Sequence, residues 1–475
     1  MNECCAPNGG DRYDLAVVGA GSAGFSAAIT AVGHGAKVAL IGHGTIGGTC
    51  VNVGCVPSKA MIRAGEAIHS ANHAKRFPGL CGEAHIEDWA RLARAKDDLV
   101  DELRQKKYAD LLPEYEGVDY FEEGPARLVD GGVAVGERII RAPKIIVATG
   151  GRPALPPIKG IDKVSTLDST ELLDLKALPK SLIFIGGGYI GSELALMMAR
   201  MGVDVTIICR SRLLPGAEPE VSEALTASFR SEGIKMHCGI TYDACREDVS
   251  GVTICVEEDG KPLELTAEKL AVMTGRHPNT DGLDLEQAGV ELDKRGAIVI
   301  GDDMQTSKPG VYAAGDVTNR DQFVYMAAYG AKLAATNAVA GGSHAYDNSA
   351  MPWVVFTDPQ VAGVGLSEAD ARAAGFEVKT SIVPLDQVPR AIAARDTRGL
   401  IKIVADKKTD KLLGGQIMAP EGSDTIQTLA MAIKFGMTTK SLGETIFPYL
   451  TTVEGLKLAA QTFDKDVTKL SCCAG

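Results

Sequence analysis

The sequence predicts an α/β protein with two Rossmann-like nucleotide-binding units and a third domain of mixed α+β character. Three observations carry this. A strand, a glycine turn and a helix occur near residue 20 and recur near residue 188. That order is the signature of a dinucleotide-binding unit. After Met351 short apolar runs at strand length give way to a helical pattern. The 475 residues also exceed what one hydrophobic core usually supports.

In chain order, Asp14 to Val18 reads as a buried strand, Gly19-Ala20-Gly21-Ser22-Ala23-Gly24 as the turn, and Phe25 to His34 as the helix. Lys37 to Ile41 is the second strand. Gly19, Gly21 and Gly24 allow a pyrophosphate close to the helix N-terminus, where amide hydrogens and dipole meet its charge. An acid is expected at the end of the second strand to hold ribose hydroxyls. The chain has Gly42 there, and no acid between Lys37 and Cys50.

The next stretch is Gly47-Gly48-Thr49-Cys50-Val51-Asn52-Val53-Gly54-Cys55-Val56-Pro57-Ser58-Lys59. Two thiols this close can form a small disulfide, hold a soft metal, or do both in turn. Residues 61 to 112 read as largely helical, with Trp89 and Tyr108 as packing residues. Ile145 to Gly150 is a buried strand ending in glycine, and Gly151 to Gly160 a linker rich in Pro and Gly.

The second unit opens with the strand Leu182 to Ile185. Gly186, Gly188 and Gly191 repeat the glycine spacing, and Ser192 to Met201 is helical. The strand Val203 to Cys209 runs into Arg210-Ser211-Arg212. An acid here suits NAD, whereas cations suit the 2′-phosphate of NADP, so Arg210 points to NADPH. Val272 to Arg276 echoes Val147 to Arg152. Asp316 follows the strand around Tyr312 and a glycine. It is placed to accept hydrogen bonds from a cofactor's sugar-like chain, or to cap the helix expected from Phe323 to Ala340. In the third domain, Trp353 to Phe356, Gly399 to Val404 and Leu412 to Met418 read as strands.

The formal charge of −12 is spread without a basic block, which argues against nucleic acid and anionic membrane as partners. No apolar run approaches the roughly 20 residues of a membrane helix, and Met1 to Arg12 lacks a signal-peptide core. A cytosolic protein is expected. Eleven cysteines are then not a secreted disulfide framework. They cluster as Cys4-Cys5, Cys50/Cys55 and Cys472-Cys473. The five at 81, 209, 238, 245 and 255 read as small buried or surface residues.

Two nucleotide motifs with a Cys-x4-Cys beside the first resemble the flavin disulfide oxidoreductases, which include glutathione reductase and dihydrolipoamide dehydrogenase. The resemblance runs from about residue 11 to the end. It implies a glutathione reductase-like fold: a tail at 1–12, an FAD-binding domain at 13–150 and 276–345, an NADPH-binding domain at 151–275, and a dimerisation domain at 346–475. By resemblance Gly19, Gly21 and Gly24 approach the FAD pyrophosphate. Gly44, Thr49 and Lys59 lie along the flavin nucleotide, Ala126 on its adenine side, and Asp316 and Val324 at the ribityl chain and flavin. Tyr189 covers the nicotinamide pocket.

That family uses a His near the C-terminus, held by a Glu, to protonate a departing thiolate. Here Glu454 is present and Tyr449 takes the His place. A tyrosine titrating near about 10 is a poor proton shuttle at neutral pH. The chain instead ends in Cys472-Cys473-Ala474-Gly475, two thiols able to offer soft sulfur to a soft cation. With Cys50/Cys55 and Phe447-Pro448-Tyr449-Leu450-Thr451, this set resembles the mercuric reductases within the family.

The resemblance implies that electrons from NADPH pass through FAD, first to open a Cys50–Cys55 disulfide and then, as a second pair, to reduce Hg(II) held by Cys50 and Cys55 to Hg(0). Cys472 and Cys473 of the partner subunit in a homodimer would first capture the thiol-bound metal, and Tyr189 and Tyr449 would line its site. Such enzymes often carry an N-terminal metal-carrying domain. This chain opens almost directly on the first nucleotide unit, and Cys4 and Cys5 are expected to be incidental. The alternatives are a dithiol-disulfide reductase with a different acid, and a non-catalytic thiol protein that sequesters soft metals.

Overall fold

The computed structural model describes residues 12–463 and 465. Cys4, Cys5, Cys472 and Cys473 lie outside these residues. The chain divides into two compact units. One comprises residues up to Ser58, Ala90–Ala154 and Gly275–Tyr346; the other comprises Lys59–Trp89, Leu155–Thr274 and Asp347 onward.

The first unit is built on a five-stranded parallel sheet, in the order Val311–Ala313, Lys144–Val147, Leu15–Val18, Val38–Ile41, Val118–Phe121. Its central strands are fully buried apolar runs, as expected of a parallel sheet covered on both faces. The helix Ser22–Gly33 follows the first strand directly. A small antiparallel sheet of Ala126–Val129, Gly132–Val135 and Arg138–Arg141 shares the same apolar core.

The second unit contains another parallel sheet, in the order Lys235–Cys238, Asp204–Cys209, Ser181–Ile185, Lys269–Val272, Thr166–Leu167. The helix Tyr189–Arg200 leaves its glycine turn. The same unit carries an antiparallel five-stranded sheet formed by Pro352–Val355, Gln360–Gly365, Leu412–Ala419, Leu400–Asp406 and Val378–Pro384. The helices Gly422–Lys434 and Glu454–Gln461 contribute to its core. Lys402 is 1% exposed, with its ammonium 3.0 Å from carboxylates of Glu218, Glu220 and Glu368. Removing one partner of such a buried cluster costs about 3–5 kcal/mol.

One expectation is corrected. Gly151–Pro153 is not linker but a strand, paired antiparallel with Arg276–Pro278. The two look-alike segments thus pair with each other, which their separate readings did not show. The span 61–112 is largely helical, as read, with one break: the helix Cys55–Asn72 ends well before the helix Trp89–Arg104 begins, and 77–88 carries no helix. The unread stretch 241–267 forms a three-stranded antiparallel sheet.

Candidate active site

In the first unit the glycine turn and the cysteine stretch are built onto one another. Gly19 has φ +120°, and a Cβ there would overlap the carbonyl of Ala148 on the neighbouring strand, so only glycine fits. Gly21 faces Gly48: a Cβ on Gly48, at φ +66°, would lie 2.7 Å from the Gly21 Cα. The Gly47 N–H donates to Ala20 O at 2.9 Å, and Gly21 and Gly47 form a parallel bridge. These contacts seat the short helix Gly48–Asn52, which carries Thr49 and Cys50. The Asn52 amide holds the stretch in place, donating to the carbonyls of Ile46 and Gly48, both at 2.9 Å, and accepting from Arg104 at 3.1 Å.

Cys55 opens the helix Cys55–Asn72. Backbone N–H groups and the helix dipole at such a position favour negative charge on sulfur. Cys50 and Cys55 are both half-buried. Tyr108, read as a packing residue, comes from a π-helical segment, Gln105–Ala109. It does pack, edge-on to Phe25 with ring centroids 4.9 Å apart. Its hydroxyl also lies 3.1 Å from Ser22 Oγ in the glycine turn. Its pKa is raised, chiefly by burial, with Cys50 and Cys55 close enough to add to the shift. No motif around Tyr108 marks it as a neighbour of the cysteines.

The missing acid at the end of the second strand has a structural counterpart. A Cβ on Gly42 would overlap the hydroxyl of Tyr120, which arrives from the strand Val118–Phe121. That hydroxyl is buried and has no hydrogen-bond partner among the described residues. An orphaned hydroxyl at the place where an acid normally meets a ribose fits a nucleotide cofactor.

Gly24 packs against Gly19 O inside the turn, and Gly44 lies in the exposed loop after the second strand. Ala126 is buried at the start of the small sheet. Asp316 does not cap the following helix, Val324–Ala340, whose N-terminus at Phe323 has no side-chain cap. Its carboxylate instead accepts from Arg276 Nε at 3.1 Å, and the Arg276 guanidinium also donates to Gly151 O. Val324 is the half-buried first residue of that helix.

In the second unit Gly186 repeats the geometry of Gly19, with φ +112°, and a Cβ there would overlap the Met273 carbonyl. Gly191 packs on Gly186 O, while Gly188 has open space where a Cβ would be. Tyr189, the first residue of the helix, stacks on Trp353 with ring centroids 5.5 Å apart. Burial pushes its pKa up to about 12, so it stays protonated at neutral pH. Arg210 is exposed just beyond the strand Asp204–Cys209, and no ion pair engages it among the described residues. Arg212 is turned inward onto the carbonyls of Pro215 and Ala217.

Lys59 donates to Glu193 at 2.7 Å and lies 4.8 Å from the Phe356 ring centroid. Glu193 is 6% exposed and also accepts from the Phe356 N–H at 2.9 Å. Sequence reading passed over this carboxylate; an acid inside an otherwise apolar helix was the available signal. Tyr449 is exposed. Glu454 accepts from the Leu450 N–H at 3.2 Å. Among the described residues no group of three or more His, Cys, Asp or Glu could hold a metal ion, and no helix is long and apolar enough to cross a membrane.

The family model of the pyridine nucleotide-disulphide oxidoreductases matches residues 13–337, and that of their dimerisation domain matches residues 351–460. The chain is 47% identical to a mercuric reductase from Lysinibacillus sphaericus, over 98% of this chain and 85% of that protein. It is 44% identical to one from Streptomyces lividans, over 98% of each. Among solved structures, the Cu(II) complex of the HOCl-induced flavoprotein disulfide reductase RclA from Escherichia coli superimposes with a TM-score of 0.83. That match has 28% identity and covers 95% of this chain and 99% of that one. The chain belongs to the pyridine nucleotide-disulphide oxidoreductase family, in its mercuric reductase branch.

Proposed function

We propose that the chain is an NADPH-dependent flavoprotein that reduces Hg(II) to Hg(0), with Cys50 and Cys55 as its redox-active, metal-handling pair. The observation that carries this is the docking of Gly47 and Gly48 on Gly21, which fastens both cysteines to a nucleotide-binding turn.

We assign FAD to 13–150 with 276–345, NADPH to 151–275, and subunit contact to 346–475, where the dimerisation match supports a homodimer. Gly19, Gly21 and Gly24 would admit the FAD pyrophosphate, and Tyr120 would serve its ribose in place of the acid. Gly44, Thr49, Lys59, Ala126, Asp316 and Val324 would line the rest. Gly186, Gly188 and Gly191 would take the NADPH pyrophosphate and Arg210 its 2′-phosphate, with Tyr189 over the nicotinamide. When bound, these groups would supply electron pairs, one to open a Cys50–Cys55 disulfide and one for the metal held there.

The chain's own residues do the rest. Cys472 and Cys473, from the partner subunit's tail, take Hg(II) from carrier thiols by thiolate exchange. Bonds from mercury to the carrier sulfurs break as bonds to the cysteine sulfurs form. A second exchange passes the ion to Cys50 and Cys55, where the helix N-terminus at Cys55 favours the thiolate. Two electrons then convert Hg(II) to neutral Hg(0), which leaves. No sulfur leaving group needs a proton, so Tyr449 can stand where a disulfide reductase needs an acid. Tyr189 and Tyr449 are the aromatic walls of the metal site. Thiols held reduced suit the cytoplasm.

NADPH oxidation should be rapid with Hg(II) and weak with oxidised glutathione or lipoamide. The opposite order would make the chain a disulfide reductase. Cys472→Ala with Cys473→Ala should slow turnover of thiol-bound Hg(II) and spare flavin reduction. Unchanged turnover in that variant would remove the relay.

A further inference from the structure

Two of the cysteines read as incidental stand side by side. The strands Asp204–Cys209 and Lys235–Cys238 run parallel, with Cys209 in register with Cys238 at their C-terminal ends. The sulfurs are 3.2 Å apart. Cys209 is 4% exposed, while Cys238 is half-buried and gives solvent access to the pair. Cys209 Sγ lies 3.4 Å from where a Cβ of Gly187 would be, under the middle of the second glycine turn. The loop after Cys209 is bound to both features. The Ser211 N–H faces Cys209, the Leu213 N–H faces Cys238, and the Leu214 N–H donates to Gly187 O at 2.7 Å. The hydrogen bond from Cys209 brings the Cys238 thiol down to about 7, against burial and helped by Arg230, while Cys209 is pushed up.

The spacing of the sulfurs selects the ligand. With thiolate bonds of about 2.3 Å, a centre bridging sulfurs 3.2 Å apart has an angle of about 90°, whereas a linear centre needs them about 4.6 Å apart. A linear two-coordinate ion such as Hg(II) would have to spread the pair. A pyramidal thiophilic centre with bond angles near a right angle fits as it stands, and trivalent arsenic is such a centre. With no third ligand nearby among the described residues, a monosubstituted arsenical, which needs only two sulfurs, is the matching class.

We propose that Cys209 and Cys238 form a second dithiol site that captures monosubstituted trivalent arsenicals, and that filling it shuts the adjoining glycine turn to NADPH. The second half rests on NADPH being bound at that turn. In the reaction two As–S bonds form and two As–O bonds break. The thiol hydrogens leave with the two oxygens as water, and nothing is oxidised or reduced. The Ser211 and Leu213 N–H groups then lose their sulfur acceptors, and the loop that presents Arg210 shifts.

The test uses the full-length protein and phenylarsine oxide. Peptide mass mapping should find a phenylarsenic bridge between the peptides of Cys209 and Cys238, absent from Cys238→Ser. Calorimetric NADP⁺ affinity should fall about tenfold in the treated wild type, hold within about twofold in treated Cys238→Ser, and recover with excess 1,2-dithiol. Arsenic found only on the other cysteine pairs, or affinity lost equally in both proteins, would overturn the site. A bridge that leaves NADP⁺ affinity unchanged would overturn the coupling. If Arg210→Ala also leaves it unchanged, the placement of NADPH has failed and the thiol site stands.

Discussion

The two glycine turns are the same device put to different ends. Gly19 and Gly186 share a left-handed φ, at +120° and +112°, and both abut a carbonyl of the adjacent strand. The difference lies at the second glycine of each motif. Gly21 is covered by Gly48 and the cysteine stretch behind it, whereas Gly188 looks into open space. The strands that follow differ as well: one ends at Gly42 under the Tyr120 hydroxyl, the other at Cys209 and Arg210. The turn itself is generic, and chemistry is assigned by what closes over it. On the proposed assignment, the covered turn would hold a resident cofactor against the cysteine stretch, and the open turn would suit a co-substrate that comes and goes.

The comparison can be broken most severely at Gly48. Gly48→Ala places a Cβ 2.7 Å from the Gly21 Cα at φ +66°. Backbone strain alone costs about 1–3 kcal/mol, and the variant should purify with little flavin, seen in its visible spectrum. Gly188→Ala is the matching change on the open turn, with no φ strain and no clash. It should keep its flavin and thermal midpoint and raise only the KM for NADPH. Equal flavin loss in both variants would erase the distinction.

Smaller effects sharpen it. Arg210→Ala should raise the KM for NADPH about tenfold and leave NADH use unchanged, as loss of one charge-assisted contact predicts. Tyr120→Phe should weaken FAD retention about fivefold, the scale of one hydrogen bond of about 1 kcal/mol. It should leave NADP⁺ affinity alone, because the hydroxyl belongs to the first turn.

What was legible in the sequence is what is local. Each glycine turn, its strand and its helix lie within one short stretch, and the spacing from Gly47 to Lys59 carries the cysteines and their docking glycines together. What was not legible arrives from elsewhere in the chain. Tyr120 reaches Gly42 only through sheet pairing, and Cys238 meets Cys209 only through strand register. Arg276 claims Asp316 from a distant strand, which is why a helix cap was an open reading. The sheet at 241–267 went unread because many of its residues are charged or polar and exposed, which leaves a weak apolar alternation.

On the proposed function, mercury is reduced at the covered turn. The direct measurement is elemental mercury vapour released per NADPH consumed, for the wild type and for Cys55→Ser, with Hg(II) presented in excess thiol. The wild type should release one Hg(0) per NADPH, while Cys55→Ser keeps its flavin, is still reduced by NADPH, and releases none. Vapour from Cys55→Ser at the wild-type rate would contradict the claim.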